Sequence, residues 1–460
     1  MVNLSLEQIA AKTGGVILQG SPSLTFSRFN IDSRQTKPGE LFFALIANRD
    51  GHDFVPEAIS KGAAAAVISR KIDSLPNKVG LIKVKDTLLA LQQLASQVLS
   101  EYQVKVVGIT GSSGKTTTKE FAACLLEPVF NVLKSKGNFN NQIGLPLSLL
   151  SLNNKHEVAV LEMAMSAAGE IRTLTQIAPP DVGVITNISP VHLQFFKNIR
   201  EIGEAKKEIL EGTKPEGAAV INGDDPLVKN IAKDWKGEKI FFGLSPQCQI
   251  KAEQIKKRGF KGMTFDFVYG SYHKKIDFPF FYDSFLYNFL AAAAVSFILK
   301  VPFEALLKQI KKLKPLPGRG VLIHLQNNIK IFDESYNSNP KALEAALRGL
   351  STLPSRRKVA VLADMLELGE KEVEFHRQAG AEVSQWGWDR LITIGPLSTH
   401  LAKGAMAAGM KKNQIDIFQN SEQAAARIQY LVEEGDFVLV KGSRKMETEK
   451  IIEKLKSIES

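Results

Sequence analysis

Val106-Val107-Gly108-Ile109-Thr110-Gly111-Ser112-Ser113-Gly114-Lys115-Thr116-Thr117 is the stretch that decides the fold. Its first five residues read as a short buried strand. The glycines that follow permit a tight loop whose backbone N–H groups face a ligand, and Lys115-Thr116-Thr117 opens a helix running to about residue 126, closed by Pro128. Strand, glycine loop, Lys-Thr and helix, in that order, suit nucleotide phosphates. Loop amides and the helix dipole attract the anion, Lys115 brings a mobile positive charge, and the Thr116 hydroxyl suits Mg²⁺. The expected phosphate cradle is Gly111, Ser112, Ser113, Gly114, Lys115, Thr116 and Thr117. Its form is G-x-x-G-K-T-T, shorter than the common G-x-x-x-x-G-K-[ST], because neither Ile109 nor Thr110 is a glycine.

On either side of this loop, short β-branched runs alternate with helical patterns. Candidate strands are 41–45, 65–68, 81–84, 106–110, 158–161, 182–186, 218–221, 359–362, 391–394 and 437–440. Helical periodicity lies between several of them, as at 342–350 and 447–455. The alternation predicts an α/β protein built on parallel sheets. One boundary falls near 84–86, before a helix at 88–99, and another at Lys314-Pro315-Leu316-Pro317-Gly318, a stiff connector. Three domains are expected, at 1–84, 85–314 and 315–460, the central one a P-loop ATPase-like parallel sheet. Residues 244–283 read as extended, aromatic-rich segments. No repeat of fixed period is present.

Composition agrees with a folded, multi-domain chain. The 460 residues are 44% hydrophobic and 23% charged, which excludes wholesale disorder and fibrous classes. The net charge of +11 favours anionic ligands without choosing among them. Much of it is concentrated at 251–314, where twelve lysines and arginines face five acids. That surplus lies downstream of the phosphate loop and reads as a solvated surface rather than the site. The first ten residues lack the pattern of a signal peptide. The longest apolar stretch, 289–299, is far short of the roughly 20 residues that span a bilayer. Cys124 and Cys248 are expected as reduced thiols of a cytoplasmic protein. A regulatory nucleotide-binding protein is a different class of reading. The guanine-selective N-K-x-D is not met, since 154–157 is N-K-H-E. A nucleic-acid binder would need a basic face with stacking aromatics, and none is expected here.

Three further residues are candidates for metal chemistry. Glu162 ends a strand, where a carboxylate of a parallel sheet points into the ligand crevice. His192 follows another strand, in Asn187-Ile188-Ser189-Pro190-Val191-His192. Lys206 lies in Glu204-Ala205-Lys206-Lys207-Glu208, a pattern more often a solvated helix face.

Taken together, T-G-x-x-G-K-T, the strand-end Glu162, N-I-x-x-x-H at 187–192 and Ala205-Lys206 resemble the Mur ligases and the related folylpolyglutamate synthases. The resemblance covers nearly the whole chain. Ile31-Asp32-Ser33-Arg34, 38–45 and Asp50-Gly51-His52-Asp53-Phe54 are similar to the family's UDP-binding N-terminal domain. Lys136-Gly137-Asn138-Phe139-Asn140-Asn141, Asp333-Glu334-Ser335-Tyr336-Asn337-Ser338-Asn339-Pro340, Ala363-Asp364-Met365-Leu366-Glu367-Leu368-Gly369 with His376, and Lys441-Gly442-Ser443-Arg444 resemble the members that add D-Ala-D-Ala.

The resemblance implies a Rossmann-like C-terminal domain and an ATP-dependent ligase acting through an acyl phosphate. D-Ala-D-Ala would be joined to UDP-N-acetylmuramoyl-tripeptide in peptidoglycan synthesis, by a cytoplasmic monomer. Another Mur ligase, a folylpolyglutamate synthase or a non-ligase ATP-binding regulator are the alternatives. The resemblance also implies two Mg²⁺ ions, held by Thr116, Glu162, His192 and a Lys206 carbamylated by CO₂, with Lys115, His192 and Lys206 as the catalytic set. Asn288, Arg319 and Asp333 would contact nucleotide. Ser33, Arg34, Asn138, Asn140, Asn141, Tyr336, Asn337 and Asn339 would contact substrate. Three positions depart from the family pattern. Ser284-Phe285 stand where His-Asn is usual, Glu334 replaces an Asp, and Ala164 replaces a common glycine.

Overall fold

The computed structural model describes residues 2–72 and 75–457. Its chain forms three large sheets in sequence order. The first has five strands in the order Val16–Gln19, Gly80–Lys83, Ala65–Ile68, Leu41–Phe43 and Phe29–Asn30, all parallel except the first. The helix Thr87–Ser100, capped by the Asp86 carboxylate at the Leu89 amide, leads from this sheet into the next.

The second sheet carries the phosphate loop. Its nine strands run Tyr272–Phe278, Met263–Tyr269, Ile250–Lys257, Glu238–Gly243, Ala218–Asn222, Val182–Ile185, Lys105–Thr110, Val158–Glu162 and Val132–Lys134. The run from Glu238–Gly243 to Val132–Lys134 is parallel, and apart from exposed Lys105 its inner strands are buried, which is why they read as continuous apolar runs. The 250–278 region is an antiparallel three-strand extension, matching the extended segments expected there.

The helix Asp283–Ile298 contains the longest apolar stretch. It is buried almost all round against the phosphate-loop helix Lys115–Leu126 and the sheet, so its apolarity belongs to the core. No helix among the described residues is long and apolar enough to cross a membrane. Cys124 and Cys248 are free thiols, as expected.

The third sheet has six strands, Val321–His324, Lys330–Glu334, Asp436–Lys441, Arg357–Ala363, Arg390–Ile394 and Ile415–Phe418, parallel apart from the first. Aromatic contacts fasten it to the second. The Phe260 and Phe437 ring centroids are 5.4 Å apart, as are those of Phe281 and Phe332. The 41–45 run ends as a strand at Phe43, because the chain turns at once into the Ile46–Asp50 bridge. The 447–455 helix begins instead at Glu449, because Glu447 adopts a left-handed φ of 50°.

Candidate active site

The strand Lys105–Thr110 lies between Val158–Glu162 and Val182–Ile185, so three C-terminal strand ends meet at the glycine loop. Gly111 (φ 149°) and Gly114 (φ 81°) are required by space as well as conformation. A Cβ on Gly111 would lie 1.8 Å from Thr186 Oγ1, and one on Gly114 would lie 2.4 Å from Asn288 Oδ1. Asn288 thus backs the loop from the apolar helix and accepts from Thr118 Oγ1 at 3.2 Å. The segment after Val182–Ile185 clamps the loop's other side. Thr186 Oγ1 donates to the Ser113 carbonyl (2.6 Å), Asn187 Oδ1 accepts from the Ser113 amide (2.9 Å), and Ser112 Oγ accepts from the Ser189 amide (2.9 Å). Lys115 Nζ donates to the Gly111 carbonyl at 2.8 Å.

Glu162 is buried at the end of its strand, with both oxygens engaged. Oε2 accepts from Thr116 Oγ1 at 2.7 Å and Oε1 from Asn140 Nδ2 at 2.9 Å. A strand-end carboxylate beside a hydroxyl offers oxygen donors to a hard cation. Among the described residues no cluster of three or more His, Cys, Asp or Glu could hold a metal. Mg²⁺ needs none, because it keeps several waters and shares phosphate oxygens. Thr116 and Glu162 therefore fit one such ion.

Lys206 projects from the helix Ile199–Glu211 into the same neighbourhood and is only 2% exposed. Its amine makes no hydrogen bond or ion pair among the described residues. Burial, and secondly the Lys115 charge, hold it well below the usual lysine range. Burial also lowers Lys115, opposed by Glu162 and reinforced by Arg319 from the third sheet's side. His192 is pushed down by burial, with Lys115 and Lys206 adding to this and Glu367 opposing it. Lys115, Glu162, His192, Lys206 and Arg319 are thus electrostatically linked through Lys115. An ammonium cannot ligate a cation, so His192 and Lys206 suit a second metal only if the lysine becomes an anion.

On the facing side, the Arg319 guanidinium stacks 3.7 Å from the Tyr336 ring centroid. Asp333 accepts from the Gly318 amide at 3.0 Å and from Ser335 Oγ at 2.6 Å, which ties the connector to the strand end. Buried Lys441 reaches Glu334 at 2.7 Å and the Asn337 carbonyl at 3.1 Å.

Other candidates are engaged with their own backbone. Asn141 Oδ1 accepts from the Gly144 amide, Asn337 Oδ1 from the Ser338 amide, and Asn339 caps the helix Pro340–Ser351 through the Ala342 amide. Asn138 sits exposed two residues before Asn140. Ser33 Oγ donates to Glu57 at 2.6 Å, and exposed Arg34 pairs with Asp32, both on the first sheet's side and without contact to the loop. Two participants were given no role from the sequence. Lys119 is fully buried, with Nζ 2.6 Å from the Ser135 carbonyl and 3.2 Å from that of Gly137, bracing the segment that carries Asn140. Glu367 lies 2.6 Å from His192 Nδ1. Lys119 sits one helical turn beyond Lys115, a visible spacing that did not announce burial.

Three family models match the chain: Mur ligase family, catalytic domain, at 25–98; Mur ligase middle domain at 109–296; and Mur ligase, glutamate ligase domain, at 318–444. The chain is 35% identical, over 92% of both chains, to the UDP-N-acetylmuramoyl-tripeptide–D-alanyl-D-alanine ligase of Bacillus subtilis. It is 32% identical, over 99% of both, to that of Escherichia coli. Among solved structures it is similar to MurF from Acinetobacter baumannii (TM-score 0.90, 28% identity, 99% of both chains). It is also similar to MurF ligase from Thermotoga maritima in complex with ADP (TM-score 0.82, 30% identity, 94% of this chain and 97% of that one).

Proposed function

Because the chain belongs to the Mur ligase family, we propose that it is an ATP-dependent acid–amino-acid ligase that joins D-alanyl-D-alanine to UDP-N-acetylmuramoyl-tripeptide, giving the UDP-linked pentapeptide of peptidoglycan synthesis. The observation that carries the reading is the cation-rich space where the phosphate loop, the Thr116–Glu162 pair and buried Lys206 meet, faced by Arg319.

In the proposed reaction a terminal carboxylate oxygen of the tripeptide attacks the γ-phosphorus of ATP. The bond to ADP breaks, and an acyl phosphate forms. The D-alanyl-D-alanine amine then attacks the acyl carbon through a tetrahedral adduct. Phosphate leaves with its bonding pair, and the amine proton passes to solvent. The chain's part is positioning and charge stabilisation. The loop amides and Lys115 hold the β and γ phosphates. Thr116 and Glu162 would hold Mg²⁺, whose chemistry there would be to neutralise charge on the phosphoryl group. Asp333, Arg319 and Asn288 border the nucleotide, and Asn138, Asn140 and Tyr336 border the acceptor.

Lys206 is proposed to act as a carbamate. Its depressed pKa leaves the amine lone pair free to bond the carbon of CO₂, and a proton is lost to solvent. The resulting anion would relieve the repulsion from Lys115, and with His192 it would be the pair to hold a second Mg²⁺. A cytoplasmic location, which nucleotide-linked substrates would favour, a monomeric state and the absence of a nucleic-acid partner belong to the same proposal.

The test is omission. Pentapeptide formation and phosphate release are measured with ATP, Mg²⁺, UDP-tripeptide and D-Ala-D-Ala, leaving out one at a time. Both are expected to require all four. Phosphate release indifferent to the dipeptide would overturn the reading.

A further inference from the structure

We propose that Glu367, on the loop after Arg357–Ala363, is the positioning residue that holds the His192 imidazole across the interface between the second and third sheets. This rests on the reading of His192 as a metal ligand.

Glu367 Oε2 lies 2.6 Å from His192 Nδ1. The backbones are joined as well, the Gln194 amide donating to the Glu367 carbonyl at 3.3 Å. They run so close that a Cβ on Gly369 would come 3.2 Å from the Leu193 carbonyl oxygen. Both partners are strained, His192 at φ 56° and Glu367 at φ 65°. Non-glycine residues hold that conformation only where their surroundings over-determine it, and such positions cluster at ligand clamps and switches. A casual surface ion pair would show neither the backbone bond nor the matched strain.

The chemistry follows from the ring. A carboxylate accepting from Nδ1–H fixes the tautomer that leaves the Nε2 lone pair free. Nε2 makes no hydrogen bond among the described residues. Glu367 would thus aim Nε2 into the space shared by Lys206 and Lys115, and only when the third sheet's loop is docked.

Mn²⁺ in place of Mg²⁺, with a non-hydrolysable ATP analogue, allows binding to be read by electron paramagnetic resonance alongside kcat, KM and Tm. Glu367→Ala is expected to weaken the more loosely bound Mn²⁺ at least tenfold and to lower kcat about 10- to 100-fold. KM for ATP should stay within twofold and Tm unchanged. Glu367→Gln, whose amide oxygen still accepts from Nδ1–H, should recover much of both losses and guards against a folding defect in the alanine variant. Wild-type Mn²⁺ affinity in Glu367→Ala would overturn the proposal, as would a glutamine variant no better than alanine. His192→Ala separates the two readings. If it weakens Mn²⁺ binding while Glu367→Ala does not, only the role of Glu367 falls. If it too leaves Mn²⁺ binding intact, the metal role of His192 falls and this inference with it.

Discussion

Replacing Lys206 with methionine is expected to separate stability from activity. Burial and the Lys115 charge hold this amine well below its ordinary value of 10.5. Between the depressed folded value and 10.5 the unfolded chain binds more protons, so the native state gains stability as pH rises through that window. The penalty for burying Lys206 is therefore greatest on the acid side. In CO₂-free buffer Lys206→Met should stabilise the protein by about 1–2 kcal/mol, most at low pH and least near 10.5, while abolishing ligation. A lower Tm for the variant at every pH would contradict this. The wild type should also lose activity in CO₂-free buffer and regain it with bicarbonate. Glu162→Gln keeps an acceptor for Thr116 but removes a carboxylate that offsets Lys115, so its Mg²⁺ requirement should rise about tenfold. An unchanged Mg²⁺ titration would remove Glu162 from the metal site. At this scale the sequence was legible where chemistry is contiguous. The order Gly111 to Thr117 announces a phosphate loop, whereas Ile199–Glu211 reads as a charged helix and conceals that Lys206 faces inward. Glu367 and His192 are 175 residues apart, and no local pattern joins them.

The glycine loop works because two elements press against it, the apolar helix Asp283–Ile298 through Asn288 and the segment after Val182–Ile185 through Thr186. Gly111→Ala would drive a methyl into Thr186 Oγ1 at a φ that L-residues rarely adopt. A stability loss of about 1–3 kcal/mol and an increase of at least about tenfold in KM for ATP are expected from overpacking and the displaced loop. Unaltered nucleotide titration would show that the loop has slack. Elements with an unbroken apolar run were readable, as with the buried parallel strands. The short or edge strands Val16–Gln19, Val132–Lys134, Val321–His324 and Ile415–Phe418 were not, because their partners and not their own residues define them. In Pro340–Ser351, Asn339 and Pro340 supply cap and first turn, so a motif that reads as substrate-binding also serves the helix.

Across the whole molecule, the three sheets share apolar cores at their junctions, and the site forms where the loops of the second and third sheets meet. The net charge of +11 is not a map of this site. Part of its surplus lies on the antiparallel extension, where exposed Lys274 and Lys275 line the outermost strand Tyr272–Phe278, a placement that discourages edge-to-edge pairing. In the proposed function the anionic ligands are met instead by Lys115, with Arg319 opposite, while buried Lys206 sits beside them as a neutral amine or carbamate. The relative placement of those cations depends on how the sheets dock, which no stretch of sequence states. Activation of the tripeptide carboxylate by phosphorylation, before D-Ala-D-Ala attacks, is the step proposed for this junction. Its most direct test uses UDP-N-acetylmuramoyl-tripeptide labelled with ¹⁸O in the terminal carboxylate, with ATP, Mg²⁺ and D-Ala-D-Ala, and mass analysis of the phosphate released. Transfer of one labelled oxygen to phosphate for each pentapeptide formed is the result expected; unlabelled phosphate released alongside pentapeptide would mean that the carboxylate is never phosphorylated.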